Sequence, residues 1–223
     1  MGWLKLVLAS AVLGGTVAAA AQGLDAPIER YREAVGFHEL GSVHGRVFQE
    51  RRRPSGPETP LTGTALILLP RSEAWLFRLN AIKRGARDSM ETYRETGTAV
   101  RRAREAYEKA LLEAGAGDLS QGATVDGEGR FALEGIPAGP WVLLGRLAPA
   151  PGTPARETKP PLPFVPPEKL AGYSVVTYWL REVTVVAGAV ESVDLTDRNV
   201  WLTGVIENRQ APRLPDQPYQ PRR

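Results

Sequence analysis

The sequence predicts a mainly β protein, an antiparallel two-sheet sandwich with an inserted α-helical hairpin. Three observations carry this. Short apolar runs recur between Gly/Pro turns over residues 42–69 and 124–206, and 23 glycines with 19 prolines in 223 residues favour turns over a mostly helical chain. Over residues 72–114 the apolar positions instead recur every three or four residues, the period of a helix. Roughly seven or eight short strands, many apolar on one side, must bury those faces against a second sheet or close into a barrel, and a sandwich is the economical solution.

The first 21 residues read as a secretory signal peptide. Lys5 gives a short positive region, an Ala/Gly-rich apolar stretch follows, and Ala19, Ala20 and Ala21 form a small-residue cleavage site before Gln22. Retention as a membrane anchor is the competing reading, against which the stretch is short for a span of about 20 residues. The mature form is therefore expected in the periplasm or outside the cell, with no membrane span. Residues 22–41 form an N-terminal extension with a short helix, Pro27 in its first turn and Ile28, Tyr31 and Val35 on one face.

The sandwich is expected over residues 42–206. Residues 42–48 make the first strand, with Val43 and Val47 toward the core. A polar loop with Arg51, Arg52 and Arg53 leads to a second strand over 61–69, where Ala65, Leu66, Ile67, Leu68 and Leu69 are too apolar to face water on either side. After the helical segment, Asp126, Gly127, Glu128 and Gly129 make a turn into a strand with Phe131 and Leu133 on one face. A second turn over 135–140 leads to the strand 141–147. Residues 149–168 form a Pro-rich loop suited to polyproline II. A long extended run over 173–186 turns at Ala187, Gly188 and Ala189 into a strand with Val193 and Leu195 together, and 199–206 add an edge strand. The local turns argue for antiparallel pairing. Residues 207–223, with Pro212, Pro215, Pro218 and Pro221, form a disordered C-terminal tail.

The run from Val125 to Leu143, VDGEGRFALEGIPAGPWVL, resembles the signature of carboxypeptidase regulatory-like domains, which share the transthyretin-like (prealbumin-like) sandwich and are similar to Cna-B-type repeats. Gly45 and Val47 match the family's early Gly-x-Val element, and Val183 to Gly188 followed by Val193, Asp194 and Leu195 match a later strand-turn-strand. The resemblance covers roughly 42–69 and 124–196 and implies a small extracytoplasmic scaffold or binding module without catalytic residues. Some Cna-B-type domains carry an internal isopeptide bond from a lysine in an early core strand. Residues 42–69 contain no lysine, which argues against one here.

The insertion, residues 72–117, is capped by Ser72 with Glu73 in the first turn. Trp75, Leu79, Ile82, Ala86, Met90 and Tyr93, then Val100, Ala103, Tyr107, Leu111 and Ala114, form a helical stripe. One unbroken helix would run about 65 Å and strand the chain far from the sheet, so a break near Gly97 with Thr98 as the next cap is expected. Arg84 with Asp88, Arg87 with Glu91 and Arg101 with Glu105 stand at i,i+4 spacing. A transthyretin-like sandwich closes its core without such an insertion, so the segment is expected to be dispensable for folding and available for contact. Its candidate partner-contact residues are Trp75, Phe77, Arg84, Arg87, Tyr93, Arg94 and Tyr107, since aromatics with Arg are enriched at binding hot spots. Phe77 is two residues from Trp75 and cannot share its narrow face.

Little in the sequence supports catalysis. There are no cysteines and only two histidines, His38 and His44, which excludes Cys nucleophiles, Cys zinc sites and Fe–S ligation. The histidines do not form a His-Glu-x-x-His motif, no Gly-x-Ser-x-Gly elbow occurs, and Asp194 with Asp197 suits turn capping. No cofactor is expected. Lys+Arg of 28 against Asp+Glu of 25 leaves a net charge of +3, too small for a dedicated nucleic-acid binder. A non-catalytic accessory or structural module binding an envelope or secreted protein is the leading expectation. A glycan or envelope-surface polysaccharide binder is the alternative, with a hydrolase a distant third.

Overall fold

Strand β1 (Leu40–Gln49) organises the first sheet by pairing with three others. It runs antiparallel to β2 (Thr59–Pro60) and to β5 (Arg130–Pro137), and parallel to β8 (Val190–Thr196) from Ser42↔Val190 to Phe48↔Thr196. The parallel pair departs from the wholly antiparallel expectation. The turn before β8 does not fold it back on its predecessor, β7 (Lys169–Val185), but carries the chain from one sheet to the other. The second sheet is antiparallel throughout, in the order β4 (Gln121–Thr124), β3 (Ala65–Pro70), β6 (Gly139–Leu147), β7 and β9 (Leu202–Gln210). The chain is thus a mainly β two-sheet sandwich with an inserted helical segment. These features come from a computed structural model that describes residues 24–51, 56–148 and 169–210. The segments read as signal peptide and Pro-rich loop, and most of that read as C-terminal tail, fall outside the described residues. Strand β9 extends to Gln210, into the segment read as tail.

Val43 and Val47 of β1, Phe131 and Leu133 of β5, and Val193 and Leu195 of β8 are buried, as the alternation requires. They meet the inner face of the second sheet: a β-carbon at Gly145 would lie 3.1–3.3 Å from Leu66, Leu195 and Trp179. The indoles of Trp141 and Trp179 are satisfied in this core by the carbonyls of Pro137 (2.8 Å) and Thr196 (2.7 Å). The outer face of the second sheet is covered too. Along β6, Trp141, Val142, Leu143 and Leu144 are consecutively buried, which is possible only where both faces are shielded from water.

The cover is the helical hairpin, α2 (Glu73–Gly85) and α3 (Met90–Glu113). Ser72 caps α2 by accepting the Trp75 N–H at 3.0 Å, as expected. The break is not at Gly97. It lies between Gly85 and Met90, where Ser89 and Thr92 form a reciprocal capping box. Gly97 sits inside α3 because the helix touches β9 there: a β-carbon would lie 2.6 Å from Ile206 and 2.8 Å from the Val205 carbonyl. The Tyr178 hydroxyl donates to the Gly97 carbonyl (3.0 Å) and that of Tyr107 to the Pro70 carbonyl (2.9 Å), fixing the helix over β7 and β3. Met90 and Ala114, placed on the stripe, are exposed. Leu79, Val100, Ala103 and Leu111 belong to the same core cluster as the sheets. The insertion is therefore a third layer that seals the second sheet, not an appendage to a closed sandwich.

The helix α1 (Ile28–Gly36) packs beside the end of β3 and the start of β6. Tyr31 and Ala34 are buried, whereas Val35 is 46% exposed against the expectation. The Tyr31 ring lies 4.7 Å from that of Trp141 and its hydroxyl donates to the Pro140 carbonyl. Gly139 takes φ +151°, and a β-carbon there would come 2.8 Å from the Tyr31 ring, so the turn requires glycine. Asp25 accepts from the Ser72 hydroxyl and from the Ala74 N–H (2.9 Å), tying the segment before α1 to the start of α2.

Candidate functional site

Helix α2 has two different faces. Trp75, Leu76 and Leu79 point into the core, while Phe77, Asn80, Lys83 and Arg84 are exposed on the other side. Phe77 remains 68% exposed, which resolves its incompatibility with the Trp75 face. Lys83 and Arg84 stand in the last turn, where the helix dipole favours cations. Opposite this face runs the chain entering β9, held by the Trp201 N–H donating to the Tyr178 carbonyl at 2.9 Å.

Between α2 and the start of β9 lies a groove of about 880 Å³. Phe77, Lys83, Arg84, Arg87 and Tyr93 line one side, and Val200, Trp201 and Leu202 the other. The Lys83 ammonium lies 5.6 Å from the Trp201 ring centroid and the Arg84 guanidinium 5.8 Å from that of Phe77, within cation–π range. The expected pairs of Arg84 with Asp88 and Arg87 with Glu91 do not form: α2 ends between the first two and α3 begins between the second two, so neither pair shares one helix face. Among the described residues, Lys83, Arg84 and Arg87 make no ion pair. Unbroken α3 contrasts with this: Arg101–Glu105 forms as expected at 3.9 Å, with Arg104–Glu108 at 3.5 Å and Lys109–Glu113 at 3.6 Å.

The predicted contact residues thus divide. Phe77, Arg84, Arg87 and Tyr93 meet in the groove. Trp75 and Tyr107 are buried and stack at 4.9 Å with an interplanar angle of 15°, joining α2 to α3 inside the core. Burial raises the Tyr107 phenol above its ordinary range, with a further contribution from Tyr31. Arg94 is exposed outside the groove lining. Sequence reasoning missed Trp201, Lys83 and Asn80. Trp201 falls in the segment read as a final edge strand, and only the fold brings it beside α2.

A second, shallower depression of about 680 Å³ lies on the outer face of the first sheet, around His44, Arg46, Arg130 and Asp194. Nearby, Glu134 accepts from the Ser42 hydroxyl and pairs with His44 Nε2. These hydrogen bonds, Ser42's foremost, hold the Glu134 carboxyl below its ordinary range. Ser42 is bonded to the acid and not to the histidine, so the cluster lacks the serine–histidine contact of a triad. His38 is exposed, at φ +59° in the turn after α1. Among the described residues, no three His, Cys, Asp or Glu side chains are placed to hold a metal. Asp197 accepts the Glu50 N–H at 2.8 Å, a loop-capping role.

No protein-family model matches the sequence, and no curated protein is similar to it. Among solved structures, the chain is similar to a putative carbohydrate binding protein from Pseudomonas aeruginosa, at 16% identity over 71% of this chain and 88% of that one, with a TM-score of 0.38. It is also similar to the minor pilin of Streptococcus agalactiae, at 11% identity over 80% of this chain and 49% of that one, TM-score 0.29. A third likeness is to the pilus backbone from Streptococcus pneumoniae, at 13% identity over 46% and 29% of the two chains, TM-score 0.20. At these values none of them bears on what this chain binds.

Proposed function

We propose that the chain is a non-catalytic, exported accessory module that binds a protein partner of the cell envelope or exterior through the groove between α2 and β9. The observation that carries this reading is the meeting of exposed Phe77 and half-buried Trp201 with cations that, among the described residues, have no ion pair of their own. Aromatic and arginine side chains around a concave surface are the composition of binding hot spots. The N-terminal signal-like segment supports export, and no helix among the described residues is long and apolar enough to cross a membrane. The Ser42–Glu134–His44 cluster, in which the serine does not meet the histidine, supports a binding role over hydrolysis.

A second reading is a polysaccharide binder. It is favoured by the Trp201 and Tyr93 rings lying in one groove with the Asn80 amide and the Thr203 hydroxyl, a set that suits stacking and hydrogen bonding to sugars. A photo-crosslinking side chain at Asn80 decides between them in envelopes of the native host. A discrete protein adduct, lost in Trp201→Ala and not formed from a probe at Ala132, is expected. Co-sedimentation with purified, protein-free envelope polysaccharide that Trp201→Ala abolishes would instead establish the glycan reading. Neither result at any concentration tested would remove the groove from the binding function.

A further inference from the structure

We infer that the groove is built for an acidic peptide segment, one whose carboxylates alternate with apolar side chains. This rests on the groove being the binding surface and specifies what occupies it. The charge is one-sided: Lys83, Arg84 and Arg87 line the groove, and no carboxylate does. Among the described residues they also form no ion pair, since the break between Gly85 and Met90 interrupts the helix face that would have paired Arg84 with Asp88 and Arg87 with Glu91. An incoming carboxylate therefore meets cations that need not first give up an internal ion pair.

The floor selects among acidic ligands. Leu202 and Ala86 are buried in its lining and Val200 is half-buried, so the ligand meets apolar surface beside the polar groups of Asn80 and Thr203. An acidic polysaccharide would leave the hydroxyls lying over that apolar surface without partners, at a cost for each unsatisfied group. A peptide supplies apolar side chains to Val200, Leu202 and Phe77 and carboxylates to the rim. Rim charges act mainly on encounter and on discrimination between partners, so the interaction is expected to weaken with salt.

The test uses the mature full-length chain and fluorescence anisotropy with a labelled synthetic peptide alternating glutamate with leucine and phenylalanine. Its glutamine and lysine counterparts and labelled polyglucuronate serve as comparisons. The acidic peptide is expected to bind roughly ten-fold or more tightly than the glutamine version, and to lose that advantage in Arg84→Glu/Arg87→Glu with the thermal midpoint unchanged. Equal binding of the glutamine peptide, tighter binding of polyglucuronate, or no binding of the acidic peptide overturns the inference. Phe77→Ala/Trp201→Ala separates it from the reading beneath it. If this pair abolishes peptide binding while charge reversal changes nothing, the groove stays a binding surface and its acidic preference falls. If neither pair alters the binding of any peptide, both fall.

Discussion

The two sheets of this sandwich are made of similar strands under different cover. In β5 of the first sheet, Phe131 and Leu133 are buried while Arg130, Ala132 and Glu134 meet solvent. In β6 of the second, burial runs unbroken from Trp141 to Gly145, with no exposed position among them. The first sheet packs on one side only and shows the period of two. The second is an inner layer between the first sheet and the helices, and it loses that period. An unbroken apolar run in an antiparallel sheet therefore points to a further layer on its outer side.

The most direct way to break this contrast is to remove the outer layer. Deleting residues 72–117 behind a short Gly/Ser bridge is expected to abolish cooperative thermal unfolding, because it exposes Leu69, Val142 and Leu144 to water. A cooperative transition in that variant would return the insertion to a dispensable role. Within the intact protein, Leu144→Ala should cost about 2–5 kcal/mol in urea unfolding, against a change within about 0.5 kcal/mol for Ala132→Ser on the solvent face of the first sheet. Gly97→Ala sharpens the comparison at the helix–sheet contact. Helix propensity alone would favour alanine by about 1 kcal/mol, but overlap with Ile206 and Val205 should leave a net loss of about 1–3 kcal/mol. Tyr107→Phe, which removes the hydroxyl donated to Pro70, should cost about 1 kcal/mol.

The smallest effect is expected at Asp25, where α2 is tied to the segment preceding α1. Burial alone would raise this carboxyl, but the hydrogen bonds from Ser72 and Ala74 outweigh it and hold it below the ordinary 3.8. Its contribution is present above that value and is lost as pH falls through the lowered folded value. Asp25→Asn should accordingly flatten the acid limb of a stability–pH profile measured by thermal melts.

Local patterns were legible where local chemistry decides them. The turn at Asp126 was readable because its carboxylate accepts the N–H groups of Glu128 (2.9 Å) and Arg130 (2.8 Å), a short-range arrangement announced by Asp-Gly. Ser72 was readable as a cap for the same reason. Gly97 misled because glycine serves equally for a hinge and for close approach, and only the position of β9 distinguishes them. The true break was obscured by a capping box that uses Thr92 in place of the more familiar Glu or Gln. Half of the groove was legible in the periodicity of α2. The other half, Trp201, arrives on the chain leading into β9 more than a hundred positions later, and no spacing along the chain encodes that meeting.

The parallel alignment of β1 with β8 has a kinetic consequence. Ser42 and Val190 are about 150 residues apart, so the central strand of the first sheet waits for nearly the whole chain before it gains that neighbour. Closing so long a loop is entropically costly at the outset and is rewarded only once the pairing extends along its length. Such wiring favours slow, late zippering of the first sheet onto a second sheet whose β3, β4 and β6 are nearer in sequence. A chain emerging from a ribosome or a translocation channel would therefore hold its β1 edge unpaired until its last strands appear.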